Sequence, residues 1–489
     1  MRDGRLYETS VLRKIVFKNT SVLIFGRVAN LLLTTLSSVL IVRYLGSEQL
    51  GQYASLYAYL ALFSWLTSFG MEQILIRDTS KNSQKSPELF AAATLLSSLL
   101  SIIAASSAML GAITLGYASS AKSLLFLACI DVLLLAPLRL SSAVFVARLK
   151  QWYWVGISVA RQALWVVIIL SIIHLRMGLT AVISGHLLSG LFEALAVFLL
   201  ARRFVALRWR FDFSFAWNIL KSSLPIALSG LAVSVYLRID QVMLRILSGN
   251  QKLGYYVAAV KIAELCDIVG IALMNTMLPV LSSVAADRER FEHYVRTCFR
   301  YLMPFILGLC AITTIGSLPL MKALYGKEYL ASSPVLSVLI WAEVWSFLSM
   351  VIGLSLIAKG LQKLALISSW SGAIANIILN AMFIPKWGPV GAAWATFISY
   401  SLAGFFALLP FSSARRLCVM GARESFIPVV LALSCVIILG PIGKPLALLL
   451  TPLVYGAGLL SLKVWSIQDV LNLFGMFVAK NENSQSTAA

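Results

Sequence analysis

Apolar runs of roughly 18 to 25 residues recur along the whole chain, separated by short polar or glycine- and proline-bearing links. Runs of that length suit α-helices crossing a hydrocarbon core about 30 Å thick, and they lack the residue-by-residue alternation of barrel strands. The pattern predicts an all-α integral membrane fold of about fourteen spans. They lie near residues 21–42, 51–71, 89–113, 121–143, 154–173, 177–200, 217–247, 253–283, 298–320, 333–358, 362–384, 389–412, 425–440 and 444–462. The first run is too long for a signal-peptide core and has no small-residue cleavage site, so it is expected to stay as the first span. The longest polar links, residues 77–88, 202–218 and 287–296, are too short to hold a catalytic domain. Residues 202–218, with Arg208-Trp-Arg-Phe-Asp-Phe213, read either as an interfacial amphipathic connector or as a plain basic loop. Residues 481–489 read as a disordered polar tail.

Composition agrees: 60% of residues are hydrophobic and 12% charged, against about a quarter charged in soluble domains. The net charge is +20. An even number of spans puts both termini on one side, and about 27 of the Lys and Arg residues fall in cytoplasmic segments if that side is the cytoplasm. The positive charge is therefore assigned to topology and anionic-lipid contact, with no nucleic-acid partner expected. Six single cysteines, without a C-x-x-C pair or histidines at ligand spacing, read as core-filling residues and point to no metal site.

Within this apolar background the stretch from Lys221 to Pro279 is unusual. It carries Lys221-Ser-Ser-Leu-Pro225, Arg238-Ile-Asp240, Leu253-Gly-Tyr-Tyr256, Lys261 and Glu264 around the polar link 248–252. Ionised groups inside spans cost several kcal/mol unless they pair or face water. Arg238 and Lys261 each lie about eight residues, or about 12 Å, from the link, so antiparallel neighbours would hold them at one depth. Asp240 and Glu264 are the candidate charge partners. Such a cluster is either a place where an anionic substrate re-pairs the cations or a structural network that fixes helix register. Pro225, in the first turns of its span, is expected to kink it, as a gate or as a static bend.

Arg27, Asp131, Arg161, Glu193 and Glu343 are single ionisable residues within or near other spans and point to the bundle interior, with snorkelling the alternative for the two arginines. His186 reads as a hydrogen-bonded packing residue. No nucleophile elbow, phosphate-cradling loop or H-E-x-x-H motif is present, so the chain is expected to be a transporter without cofactor and not an enzyme.

The halves repeat. Arg43-Tyr-Leu-Gly46 with Leu50-Gly51-Gln-Tyr53 is matched by Arg245-Ile-Leu-Ser248 with Leu253-Gly254-Tyr-Tyr256, an offset of about 203 residues. Six spans per copy make the repeats parallel. The expected organisation is a six-helix lobe over 1–205, a second over 206–412, two accessory helices over 413–480 and the tail.

These motifs, with Leu224-Pro-Ile-Ala-Leu-Ser-Gly230, Leu324-Tyr-Gly-Lys-Glu-Tyr329, Asn376-Ile-Ile-Leu-Asn380, Pro385, Gly388 and Gly391-Ala-Ala-Trp-Ala-Thr396, resemble the polysaccharide-biosynthesis transporters of the O-antigen flippase type. That family belongs to the multidrug, oligosaccharidyl-lipid and polysaccharide exporter superfamily. The resemblance covers roughly residues 11–412 and implies two six-helix lobes around a central cavity open to one side at a time. The implied cargo is a sugar or oligosaccharide on polyprenyl pyrophosphate, moved from the cytoplasmic to the outer leaflet of a bacterial inner membrane for surface polysaccharide or lipopolysaccharide synthesis, with H+ or Na+ as candidate coupling ions. Related lipid II flippases use intramembrane arginines for the pyrophosphate, which makes Arg27, Arg238 and Lys261 the nearest candidates. Tyr53, Tyr236 and Tyr256 are candidate sugar contacts, against the alternative of an interfacial aromatic belt. A polysaccharide polymerase and chain-length proteins are candidate partners. A drug or small-solute antiporter on the same fold would be expected to show an acidic cavity, and an embedded glycan polymerase a catalytic acid or base cluster with a substantial outer loop.

Overall fold

The computed structural model of the protein describes residues 2–81, 86–114, 119–148, 150–205 and 213–466. The centre of the expected connector at 202–218 and the tail at 481–489 lie outside them. Among the described residues there are fourteen α-helices: α1 (Arg2–Ala61), α2 (Ser64–Ser68), α3 (Met71–Lys81), α4 (Ser86–Thr114), α5 (Ser119–Ala147), α6 (Gln151–His174), α7 (Leu179–Ala201), α8 (Phe213–Ser248), α9 (Asn250–Ser283), α10 (Arg288–Tyr325), α11 (Ser333–Ala358), α12 (Gln362–Gly404), α13 (Ser412–Leu439) and α14 (Lys444–Ser461). Among the described residues ten helical stretches are long and apolar enough to cross a membrane. The protein is a multi-pass membrane protein.

The helices do not map one to one onto the expected spans. The first two spans run together as α1, which bends only at Gly46. Spans eleven and twelve run together as α12, whose one non-helical residue is Gly388, inside the glycine-proline turn marked in the sequence. The second span is broken further on: Phe69 and Gly70 both take left-handed conformations between α2 and α3. A Cβ on Gly70 would approach Cβ of Ile226 at 2.7 Å and the Ser223 carbonyl at 3.1 Å, so the break lies where α8 passes closely. The polar link expected over 248–252 contracts to Gly249 alone.

The chain forms two compact units, Met1–Val257 and Ala258–Ala489. In the first, Met71, Leu75, Phe90, Ala93, Leu140 and Val144 form a core shared by α3, α4 and α5. The repeat is visible in its turns. Gly46 and Gly249 both carry positive φ, 67° and 86°, and each is followed directly by the start of a helical segment. One turn later the two segments meet backbone to backbone: a Cβ on Gly51 would overlap the carbonyl of Asn250, and a Cβ on Gly254 would overlap the carbonyl of Ser47. The contact is reciprocal, since Asn250 stands to Gly254 as Ser47 stands to Gly51. Only glycine permits an approach this close.

In the second unit Phe291, Phe299, Leu302, Ile306, Phe347 and Val351 anchor a core of α10 and α11 that extends to α13 and α14. The side chain of Asp287 caps α10 by accepting from the Arg290 amide at 3.1 Å. The last helix folds back on α10, where the Tyr455 hydroxyl donates to the Pro304 carbonyl at 2.9 Å. That carbonyl sits in a proline-bearing helix, a place where backbone groups commonly need outside partners. All six cysteines are free and buried, as core-filling residues should be.

Candidate functional site

Polar side chains in the first unit converge on one cluster. Helical spacing brings them together. On α1, Tyr53 and Tyr57 lie four residues apart, so their rings meet on one face, tilted by 48° with centroids 4.8 Å apart. On α7, His186 and Glu193 are two turns apart and share a face. On α6, the rotation about the helix axis is fixed by Asn30 Nδ2 donating to Ser158 Oγ at 3.3 Å and Gln162 Nε2 donating to Ser37 Oγ at 2.8 Å. These two bonds to α1 aim Arg161 along the α6–α7 seam.

There Arg161 Nε lies 3.3 Å from Glu193 Oε2, and its Nη2 lies 3.5 Å from His186 Nε2. His186 Nε2 is in turn 3.7 Å from Asp131 Oδ2 on α5, and the Tyr57 hydroxyl donates to that same oxygen at 3.1 Å. The imidazole is boxed by edge contacts with Tyr57 and Trp165, at 5.1 and 5.3 Å between centroids. Gly190 faces Asp131, whose Oδ1 would lie 3.1 Å from any Cβ placed there. A larger residue would push the carboxylate away from α7.

Two carboxylates, one guanidinium, one imidazole and a phenol thus share the interior of four helices. Arg161 is the permanent cation of the group, and a guanidinium presents a planar fork of donors suited to carboxylate or phosphate oxygens. Glu193 is buried. The residues were individually conspicuous in the sequence, yet nothing there says that they meet. Depth along a span is legible from the chain, but the direction each side chain takes around the helix depends on neighbours far away in sequence.

The other expected site residues are distributed differently. Tyr53 joins the cluster through Tyr57. Asp240, on α8, is 5% exposed; it accepts from the Tyr256 hydroxyl and, at 2.7 Å, from the Gln241 amide. Tyr256 is fully buried. Arg238 and Tyr236 are half-buried on α8, Arg27 is exposed on α1, and Pro225 is exposed inside α8. Lys261, exposed, and Glu264, half-buried, follow on α9 within the second unit. Near them stands Asp267, which the sequence reading passed over although it lies three residues beyond Glu264, on the same helix face.

Residues 16–334 match the family described as polysaccharide biosynthesis protein. The chain is 24% identical over 222 residues to the probable low-salt glycan biosynthesis flippase Agl15 of Haloferax volcanii, a match covering 43% of this chain and 47% of that protein. It is 22% identical over 192 residues to the capsular polysaccharide biosynthesis protein CapF of Staphylococcus aureus, covering 39% and 47% respectively. The chain spans about half the length of the curated relatives it matches. The structure of the lipid II flippase MurJ in an inward closed conformation superposes with a TM-score of 0.72 at 15% identity, over 90% of this chain and 98% of that one. That likeness is one of fold.

Proposed function

Because the chain belongs to the polysaccharide biosynthesis protein family, we propose that it is a flippase for a polyprenyl-pyrophosphate-linked sugar or oligosaccharide. It moves that lipid from the cytoplasmic to the outer leaflet of a bacterial plasma membrane by alternating access, and it works as two six-helix repeats, 1–205 and 206–412, with residues 413–480 as accessory helices. The observation that carries the reading is the paired guanidinium and carboxylates inside the first unit, Arg161 with Glu193, in a chain whose matched relatives include a named glycan flippase. A diphosphate joined to sugars does not cross a dry bilayer. It needs cations whose existing partners it can replace: Arg161 offers one inside the first unit, Arg27 and Arg238 are the further candidates there, and Lys261 is the candidate in the second. The carboxylates keep the empty protein near charge balance, so that exchange of partners, and not burial of bare charge, accompanies loading. Tyr53 and Tyr236 offer hydroxyls and ring faces to sugars.

In cells, Arg238→Ala and Lys261→Ala should each lower delivery of glycan to the outer surface by at least about tenfold, equivalent to about 1.4 kcal/mol, with membrane-inserted protein unchanged. Normal delivery in both variants would remove these cations from the substrate path.

The proposed topology places both termini in the cytoplasm, with anionic lipids against the basic cytoplasmic links. Since the six native cysteines are buried, an added one reports alone. Cysteine at exposed Arg176 or Lys327 should react with a membrane-impermeant thiol reagent in intact cells, and cysteine at exposed Arg288 should react only after the membrane is opened. The reverse pattern would invert the topology.

A further inference from the structure

The second unit holds a polar cluster of a different kind from the first. Asp267 on α9 and Glu343 on α11 lie close enough across the helix pair for each carboxyl group to act on the other. Ser346, one turn after Glu343, donates its hydroxyl to Asp267 Oδ1 at 3.4 Å. Glu264, one turn before Asp267, adds a third carboxyl to the same field. Glu343 is 7% exposed, and its Oε2 is buried without a hydrogen-bond partner. Among the described residues the other titratable groups facing the pair are the thiols of Cys266 on α9 and Cys310 on α10. Among the described residues no lysine, arginine or histidine pairs with Asp267 or Glu343. In the first unit, by contrast, Asp131 and Glu193 have His186 and Arg161.

An ionised carboxylate only accepts hydrogen bonds, so two of them bond to each other only if one carries a proton. Two carboxylates in one site cannot both be ionised cheaply, and the cost rises in a membrane interior. Among the described residues, the hydroxyl bonded to the pair is that of Ser346. We infer that Asp267 and Glu343 form a site for one exchangeable proton, held between the two carboxyl groups and supported by Ser346. Because α9 and α11 each contribute one of the carboxyl groups, loss of the proton sets like charges against each other across the helix pair and favours an arrangement that separates them. The use of this proton to drive translocation rests on the flippase reading; the site itself does not.

The test is infrared spectroscopy on the full-length protein in lipid vesicles, at neutral pH, in H2O and D2O. The wild type should show a carbonyl band of a buried carboxylic acid that shifts in D2O. Asp267→Asn and Glu343→Gln should each lose that band while keeping a normal unfolding temperature, because the amide donates to the remaining carboxylate. Absence of the band in the wild type, or its persistence in both variants, would overturn the inference. So would loss of the band on exchanging choline chloride for sodium chloride, which would make this a sodium site. In the same vesicles, acceleration of glycan translocation by a pH difference should fall at least tenfold in both variants. A band that behaves as stated in a wild type that translocates no glycan would defeat the flippase reading and leave the proton site standing. Translocation without the band would do the opposite.

Discussion

Placing a side chain on either repeat glycine should cost the protein its fold. Gly51→Val and Gly254→Val would each drive a Cβ into a carbonyl group of the facing helical segment, Asn250 in one case and Ser47 in the other. Overpacking against side chains costs about 1 to 3 kcal/mol, because they can turn away. Here the obstacle is backbone that begins a helix, pinned at its start by Gly46 or Gly249, so the loss should lie at or above the top of that range. Alanine should already be harmful. The measurement is the amount of detergent-stable, monodisperse protein recovered from membranes. Near-complete loss for both valine variants, beside normal recovery for Gly156→Ala, whose Cβ meets open space, is the expected result. Normal recovery of either valine variant would mean that the close contact does not form.

The second large effect concerns Arg161. Removing one partner of a fully buried ion pair costs about 3 to 5 kcal/mol; with the Arg161 side chain 22% exposed and that of Glu193 8%, the loss here should lie toward the bottom of that range. Arg161→Gln should therefore lower folded protein, since Glu193 loses its cation and His186 and Asp131 lose the charge beside them. Adding Glu193→Gln removes the stranded carboxylate and should restore much of the stability. It should not restore transport. If Arg161 serves only to pair with Glu193, the double variant will recover folded protein and glycan export together; if it also meets the diphosphate, export stays low. Thermal unfolding of purified protein and glycan delivery in cells, measured on the same three proteins, separate the two roles.

The outcome of reading the chain alone follows a physical division. Features governed by length and local conformation were legible: the apolar spans, the Gly388 turn, the cysteines as core residues and the repeated Gly51 and Gly254. Features governed by what lies opposite were not. The break at Phe69 and Gly70 follows from the approach of Ser223 and Ile226, more than 150 residues later in the chain. The early start of α13 at Ser412, well before the expected residue 425, places charged residues in a helix; they are paired from outside, Arg416 with Glu292 at 3.0 Å and Glu424 with Arg296 at 3.5 Å. In the same way the sequence marked Asp131, Arg161, His186 and Glu193 one by one, because depth in a span is a property of the span, while convergence is a property of four helices. Asp267 went unnoticed since its partner, Glu343, lies two helices away.

The central claim, that the protein turns over a lipid-linked glycan, is tested most directly by reconstituting the purified full-length chain in vesicles with a polyprenyl-pyrophosphate oligosaccharide in both leaflets. A soluble lectin or glycosidase added outside counts the exposed fraction. Protein-free vesicles should leave about half of the glycan protected for hours. Wild-type protein should bring nearly all of it within reach, and the Arg161→Gln, Glu193→Gln double variant should not. Protection that is the same with and without wild-type protein would contradict the account.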